Sequence, residues 1–107
     1  MNQLELQTKR NNTARVCRHT SKIHRNCIRI NTNSTYEHEK KKFDECWRLA
    51  KEGKEYITEA EGEDKSWRAD ILILDDNLAI EIVKSETDES IQIKNRKYPM
   101  PIFIMKI

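Results

Sequence analysis

Trp67-Arg68-Ala69-Asp70-Ile71-Leu72-Ile73-Leu74, then Asp75-Asp76-Asn77, then Leu78-Ala79-Ile80-Glu81-Ile82-Val83: residues 67–83 set the architecture. Two runs of large aliphatic residues flank a polar link of hairpin length. Each run is short enough for a strand, and continuous apolar runs mark central strands covered on both faces. A carboxylate interrupts each run. Side chains alternate along a strand, so Asp70 shares a face with Leu72 and Leu74, and Glu81 shares one with Ala79 and Val83. A tight antiparallel hairpin places Asp70 and Glu81 side by side. Neither charge is cheaply buried alone, and two carboxylates a few ångströms apart repel. A divalent cation removes that repulsion, and hard oxygen donors on a rigid sheet suit Mg²⁺ or Mn²⁺. The bland alternative pairs Asp70 with Arg68 or Lys84 and leaves Glu81 at a sheet edge.

The flanking residues supply the other layers. Tyr36 to Lys51 contains no Gly or Pro, begins after the cap candidates Ser34 and Thr35, and is followed by Gly53. Helical periodicity puts Tyr36, Phe43, Cys46, Trp47 and Ala50 on one stripe, expected to face the core. Glu39 falls on that stripe, Glu37 and His38 fall outside it, and Glu45 points away. Glu55 to Ala60 reads as a first strand, on which Glu59 is expected at the surface, the alternative being a place in a metal shell. Ser85-Glu86-Thr87-Asp88-Glu89 reads as a helix start, with acids at the positive end of the dipole. That helix stops before Tyr98-Pro99, and residues 101–107 form a last apolar strand. The expected fold is a three-layer α/β sandwich around a mixed sheet, in the order αβββαβ.

Residues 1–34 form a second region by composition. They carry seven basic residues and one acid, whereas residues 35–107 carry the other 13 basic and 17 acidic residues. The expectation is a basic arm or short hairpin, with Val16, Ile23, Ile28 and Ile30 supporting brief strands, preceding a core domain over 35–107. Arg15, Arg18, Lys22, Arg25 and Arg29 are candidates for phosphate contacts, which give affinity without sequence readout. A basic segment on an acidic body fits a polyanion such as DNA, or a solvated tail. Cys17, His19, His24 and Cys27 have zinc-ligand chemistry but match no familiar finger spacing.

Composition excludes other classes. The chain has 107 residues, 36% of them hydrophobic and 36% charged, with two glycines and a net charge of +2. There is no apolar run of the ~20 residues a spanning helix needs. Two glycines leave no nucleotide-cradling loop, so no nucleotide cofactor is expected. The odd cysteine count, without an apolar leader at the start, points to reduced thiols in a cytoplasmic protein. Trp47 and Cys46 read as core, and Trp67 as partly exposed.

The pair of runs around Asp70 and Glu81 resembles the core of the PD-(D/E)XK nucleases, whose signature is an Asp opening one strand and Glu-x-Lys on the next. The resemblance spans about residues 35–107 and is similar to small archaeal Holliday-junction resolvases and mobile-element nucleases. It implies a Mg²⁺- or Mn²⁺-dependent DNA endonuclease, structure-selective for branched or junction DNA. A homodimer is expected on size: 107 residues offer little surface to hold a branched duplex, and two-fold partners would give paired incisions. Asp70 and Glu81 would hold the metal ion, aided by the Ile82 carbonyl, and Glu39 would hold a second ion or its water. One position departs from the pattern: Val83 stands where the family carries its lysine, and Lys84 points to the opposite face. The resemblance then assigns the catalytic cation to Lys94 on the following helix, or a polar role to Gln92. Val83 also fits a catalytically inactive DNA-binding or regulatory protein on the same fold. A third possibility is a protein-interaction module with a basic docking tail.

Overall fold

The computed structural model describes residues 2–85 and 87–107. Helix α1 spans Gln3–Ala14, α2 His19–Lys22 and α3 Tyr36–Lys51; strands β1, β2 and β3 span Tyr56–Glu61, Arg68–Ile73 and Leu78–Val83; α4 spans Asp88–Lys97 and β4 Ile102–Lys106. The protein is a mixed α/β fold around one four-stranded sheet in the order β1-β2-β3-β4. The first three strands are antiparallel, and β4 runs parallel to β3. A parallel return needs a crossover, and α4 provides it. Glu86, in the expected helix start, lies outside the described residues. Thr87 is the N-cap, accepting from the Ser90 N–H at 3.1 Å.

Apolar clusters line both faces of the sheet. Ile57, Leu72, Leu74 and Ala79 pack with Ala14, Cys17, Trp67 and Met100 on one side. Tyr56, Ile71, Ile73, Ile80 and Ile82 pack with Cys46 and Leu49 of α3 on the other. The alternation within β2 and β3 is therefore what the unbroken aliphatic runs require: every second residue feeds a different core.

Three expectations are corrected. First, residues 1–34 are neither a loose arm nor a hairpin but carry α1 and α2. Arg10 ties α1 to the sheet end: its guanidinium donates to both oxygens of Asp75 at 3.0 Å and to the Gly53 carbonyl at 3.0 Å, and it pairs with Glu55 at 3.2 Å. Ala14 and Cys17 enter the core. The weak apolar periodicity of 3–14 hid this helix, because it docks through an arginine and its last turn. The extended pieces expected here shrink to single bridges, Cys17 to Gly62 and Arg25 to Ile57.

Second, α3 is rotated by about 100° from the expected orientation, at 100° per residue. Lys42, Glu45, Cys46 and Leu49 are buried, while Tyr36, Phe43 and Trp47 are 80%, 50% and 59% exposed. Lys42 finds polar partners beneath the helix, which removes the usual cost of burying it. Third, Trp67 is buried rather than partly exposed, and Glu59 is buried rather than on the surface.

Candidate active site

Asp70 and Glu81 come together because of the strand register. Ile71 faces Ile80 and Leu72 faces Ala79, and one further step places Asp70 opposite Glu81. The ladder changes character at that step. The Asp70 carboxylate Oδ2 accepts the Ile82 N–H at 2.7 Å, a side-chain oxygen standing where a strand carbonyl would serve. On the other side of β2 the pairing skips one position, running from Thr58–Ile71 to Ala60–Ala69. The skipped residue, Glu59, has φ of +51°. That is left-handed backbone, costly for a residue with a Cβ. Both strand interfaces are thus distorted beside Asp70.

Glu81 lies in a low-dielectric position. Burial first, and the neighbouring Asp70 charge second, push its carboxyl up to about 7, against hydrogen bonding from Tyr98 and the charge of Lys94. Lys94 Nζ lies 3.5 Å from Glu81 Oε2. The Tyr98 hydroxyl contacts both Glu81 Oε1 and the Arg68 carbonyl. Burial, then the bond to Glu81, raises the phenol well above its ordinary value. Tyr98 is thereby kept as a neutral donor. Arg68, Asp70, Glu81, Lys94, Lys97 and Tyr98 line one open cavity of about 450 Å³.

Glu39 is placed differently from a direct neighbour of that pair. Its Oε1 accepts the Asn31 N–H at 2.8 Å and lies 2.6 Å from Lys42 Nζ. Its Oε2 is 2.7 Å from His38 Nδ1, and His38 Nε2 is 3.2 Å from Asp70 Oδ2. His38 therefore bridges Glu39 to Asp70. Burial disfavours the Glu39 charge, but the Asn31 N–H, Lys42 and His38 outweigh it and hold the carboxyl at about 2. Lys42 is fully buried, and it also donates to the Arg29 carbonyl at 2.7 Å and to Glu59 Oε1 at 3.1 Å. Asn31, Lys42, Glu39, His38 and Asp70 form one polar chain leading to the strand pair. His38, Lys42 and Tyr98 were not legible as partners of the site. The one available signal was the three-residue spacing of Glu39 and Lys42 on a helix.

The expected phosphate-binding residues divide into groups. Arg18 pairs with Glu61 at 3.4 Å and Arg25 with Glu55 at 3.2 Å, so both are engaged with β1 or its entry. Lys22 ends the short α2. Arg15 shares a cavity wall with Arg96 and Lys97. Arg29 shares another with Arg68. Arg68 and Lys97 also line the carboxylate cavity, so cations continue from Arg15 past Glu81 to Arg29.

Among the described residues, no helix is long and apolar enough to cross a membrane, and no group of three or more His, Cys, Asp and Glu side chains is arranged to hold a metal ion. The zinc-type set at 17–27 is included in that statement. No known protein family, curated protein or solved structure matches the chain.

Proposed function

We propose that this chain is a divalent-cation-dependent DNA endonuclease on a PD-(D/E)XK-like three-layer α/β sandwich, selective for branched or junction DNA. The observation that carries the reading is the Asp70/Glu81 pair: two carboxylates on adjacent central strands, opening into a cavity rimmed by Arg68, Lys94 and Lys97. The donor set fits Mg²⁺ or Mn²⁺. Such ions commonly take one or two protein carboxylates and leave the remaining positions to water and substrate phosphate. Glu81, held at about 7 beside Asp70, gains most from a neighbouring positive charge. A divalent ion bound there polarises a phosphodiester and lowers the pKa of a water.

The chain's own residues do the rest. The Ile82 N–H and His38 fix Asp70 Oδ2, which directs the carboxylate toward β3. Tyr98 orients Glu81. Lys94, 3.5 Å from Glu81 on the cavity wall, would stabilise charge on a phosphate bound there, the part that Val83 cannot take. Arg68 and Lys97 attract the backbone of a strand crossing the cavity. Glu39 acts through His38 as a positioning residue, with both its oxygens already engaged.

Incision of labelled linear, nicked, forked and four-way DNA with Mg²⁺ or Mn²⁺ tests this. Cleavage by the wild type, lost in Asp70→Asn and in Glu81→Gln, is the expected result. No incision of any substrate, or incision that survives both substitutions, refutes it. Val83 favours one other reading, a DNA-binding protein without activity. Salt-sensitive DNA binding unchanged by Asp70→Asn, with no cleavage, identifies that case.

A further inference from the structure

The aromatic stripe of α3 faces away from the sheet. Tyr36, Lys40, Phe43, Asp44, Trp47 and Lys51 are all exposed, and at 100° per residue they occupy an arc of about 100°. Three of the chain's seven aromatic residues stand on it. Phe43 and Trp47 stack at 6.4 Å between ring centroids, and Lys51 Nζ lies 5.4 Å from the Trp47 ring centroid. Ile30, 73% exposed, adjoins the stripe across a groove of about 640 Å³ that Phe43 and Tyr36 also line. A single exposed apolar residue is ordinary, but a contiguous aromatic face on a monomer marks an interaction surface.

The order of residues on this stripe identifies what fits it. Read about a point between Phe43 and Asp44, the stripe is symmetric in spacing and pairs unlike residues: Tyr36 and Lys51 are equidistant from that point, as are Lys40 and Trp47, and Phe43 and Asp44 themselves. An antiparallel second helix of the same sequence, related by a two-fold axis there, sets Lys40 against the partner's Trp47 and Tyr36 near the partner's Lys51. Phe43 stands opposite the partner's Asp44 and about 1.5 Å along the axis from the partner's Phe43, close enough for the two rings to meet. These are cation–aromatic and aromatic pairs, made twice by symmetry. Asp44 then lies within a helical turn of the partner's Lys40. Antiparallel helix dipoles oppose, which adds a favourable term. An acid at the centre of the face disfavours a polyanion as occupant.

We infer that the α3 stripe is a self-complementary surface through which two copies of this chain pair antiparallel about a two-fold axis between Phe43 and Asp44. The inference stands apart from the hydrolytic reading, because none of the six stripe residues lines the Asp70/Glu81 cavity.

Sedimentation equilibrium of the full chain, from about 1 to about 300 μM, tests it; a single helix pair lies at the small end of specific interfaces, at or below ~1,200 Å² of total buried area. A mass rising to twice 12.8 kDa is expected for the wild type, and the single-chain mass for Phe43→Glu with an unchanged circular dichroism spectrum. The axis is tested in a Cys27→Ser background, which removes the exposed native thiol. There, Asp44→Cys crosslinks to its own copy under mild oxidation. Lys51→Cys does not, because at 1.5 Å per residue the two copies lie about 22 Å apart along the helix. A wild type that stays single throughout the range overturns the inference. So does a dimer that survives Phe43→Glu, or crosslinking at Lys51→Cys but not at Asp44→Cys. Monomer with Trp47 fluorescence quenched by single-stranded DNA would assign the stripe to base stacking instead.

Discussion

Lys42→Met separates the polar chain beneath α3 from the apolar packing around it. The lysine side chain is fully buried; its Nζ lies 2.6 Å from Glu39 Oε1, 3.1 Å from Glu59 Oε1 and 2.7 Å from the Arg29 carbonyl. Methionine keeps most of the stem and removes the ammonium. Two nearly buried carboxylates then lose the buried cation between them, and Glu59 keeps only the half-exposed Arg68, at 3.6 Å. Breaking a buried pair by removing one partner costs about 3–5 kcal/mol. With a urea m-value of roughly 1–3 kcal/mol/M, the unfolding midpoint falls by on the order of 2 M. Urea unfolding followed by circular dichroism reads this directly. The triple variant Lys42→Met/Glu39→Gln/Glu59→Gln leaves no buried charge unpaired, since the Arg68 it frees from Glu59 is half-exposed, and recovers most of the loss. The acid limb gives a second reading. Glu39 is held at about 2 against an ordinary 4.5, so its ionised form stabilises the fold above pH 4.5. That contribution, on the order of 3 kcal/mol, is lost as pH falls from 4.5 toward 2. The limb is shallower in Lys42→Met. A single-variant loss below about 1 kcal/mol, or a triple variant no more stable than the single one, refutes the buried network.

Glu81 has the opposite sign. Its carboxyl is raised to about 7 from an ordinary 4.5, so the folded state holds the proton more tightly and stability falls as pH rises from 4.5 through 7. Glu81→Gln, a mimic of the protonated form, raises stability at pH 8 by about 1–3 kcal/mol and changes little at pH 4; equal destabilisation at both values, read by thermal unfolding, contradicts this. Gly62→Ala adds a methyl group that overlaps Nε1 and Cδ1 of the buried Trp67 indole. Overpacking of this kind costs about 1–3 kcal/mol, and a denaturation midpoint equal to wild type shows that the indole moves freely aside.

Hydrophobic pattern carried the sheet well and the helices unevenly. The aliphatic runs at 71–74 and 78–83 belong to strands buried on both faces, where no other local structure competes, and β3 ends where expected. The Asp70/Glu81 juxtaposition followed from alternation and hairpin register alone. Glu39 was legible as inward-facing, but its neighbours were not, because hydrogen-bond partners across the chain leave no periodic trace. Arg29, through its carbonyl, and Glu59 reach the same lysine from different parts of the chain. Helix α3 shows why periodicity alone misplaced a face. Its strongest apolar stripe was read as the side against the sheet, yet the sheet takes Cys46 and Leu49 together with a lysine and a glutamate. A hydrophobic stripe does not by itself state which face of a helix meets the sheet: here the rings of Tyr36, Phe43 and Trp47 stay exposed. In a chain of 107 residues, whose limited interior leaves apolar surface outside, an aromatic stripe turned outward and a charged stripe turned inward are two sides of one helix. The inward charges are compensated within the chain, by Glu39, Glu59 and the Arg29 carbonyl around Lys42. The outward rings, exposed on the single chain, form the stripe proposed above to meet its own copy.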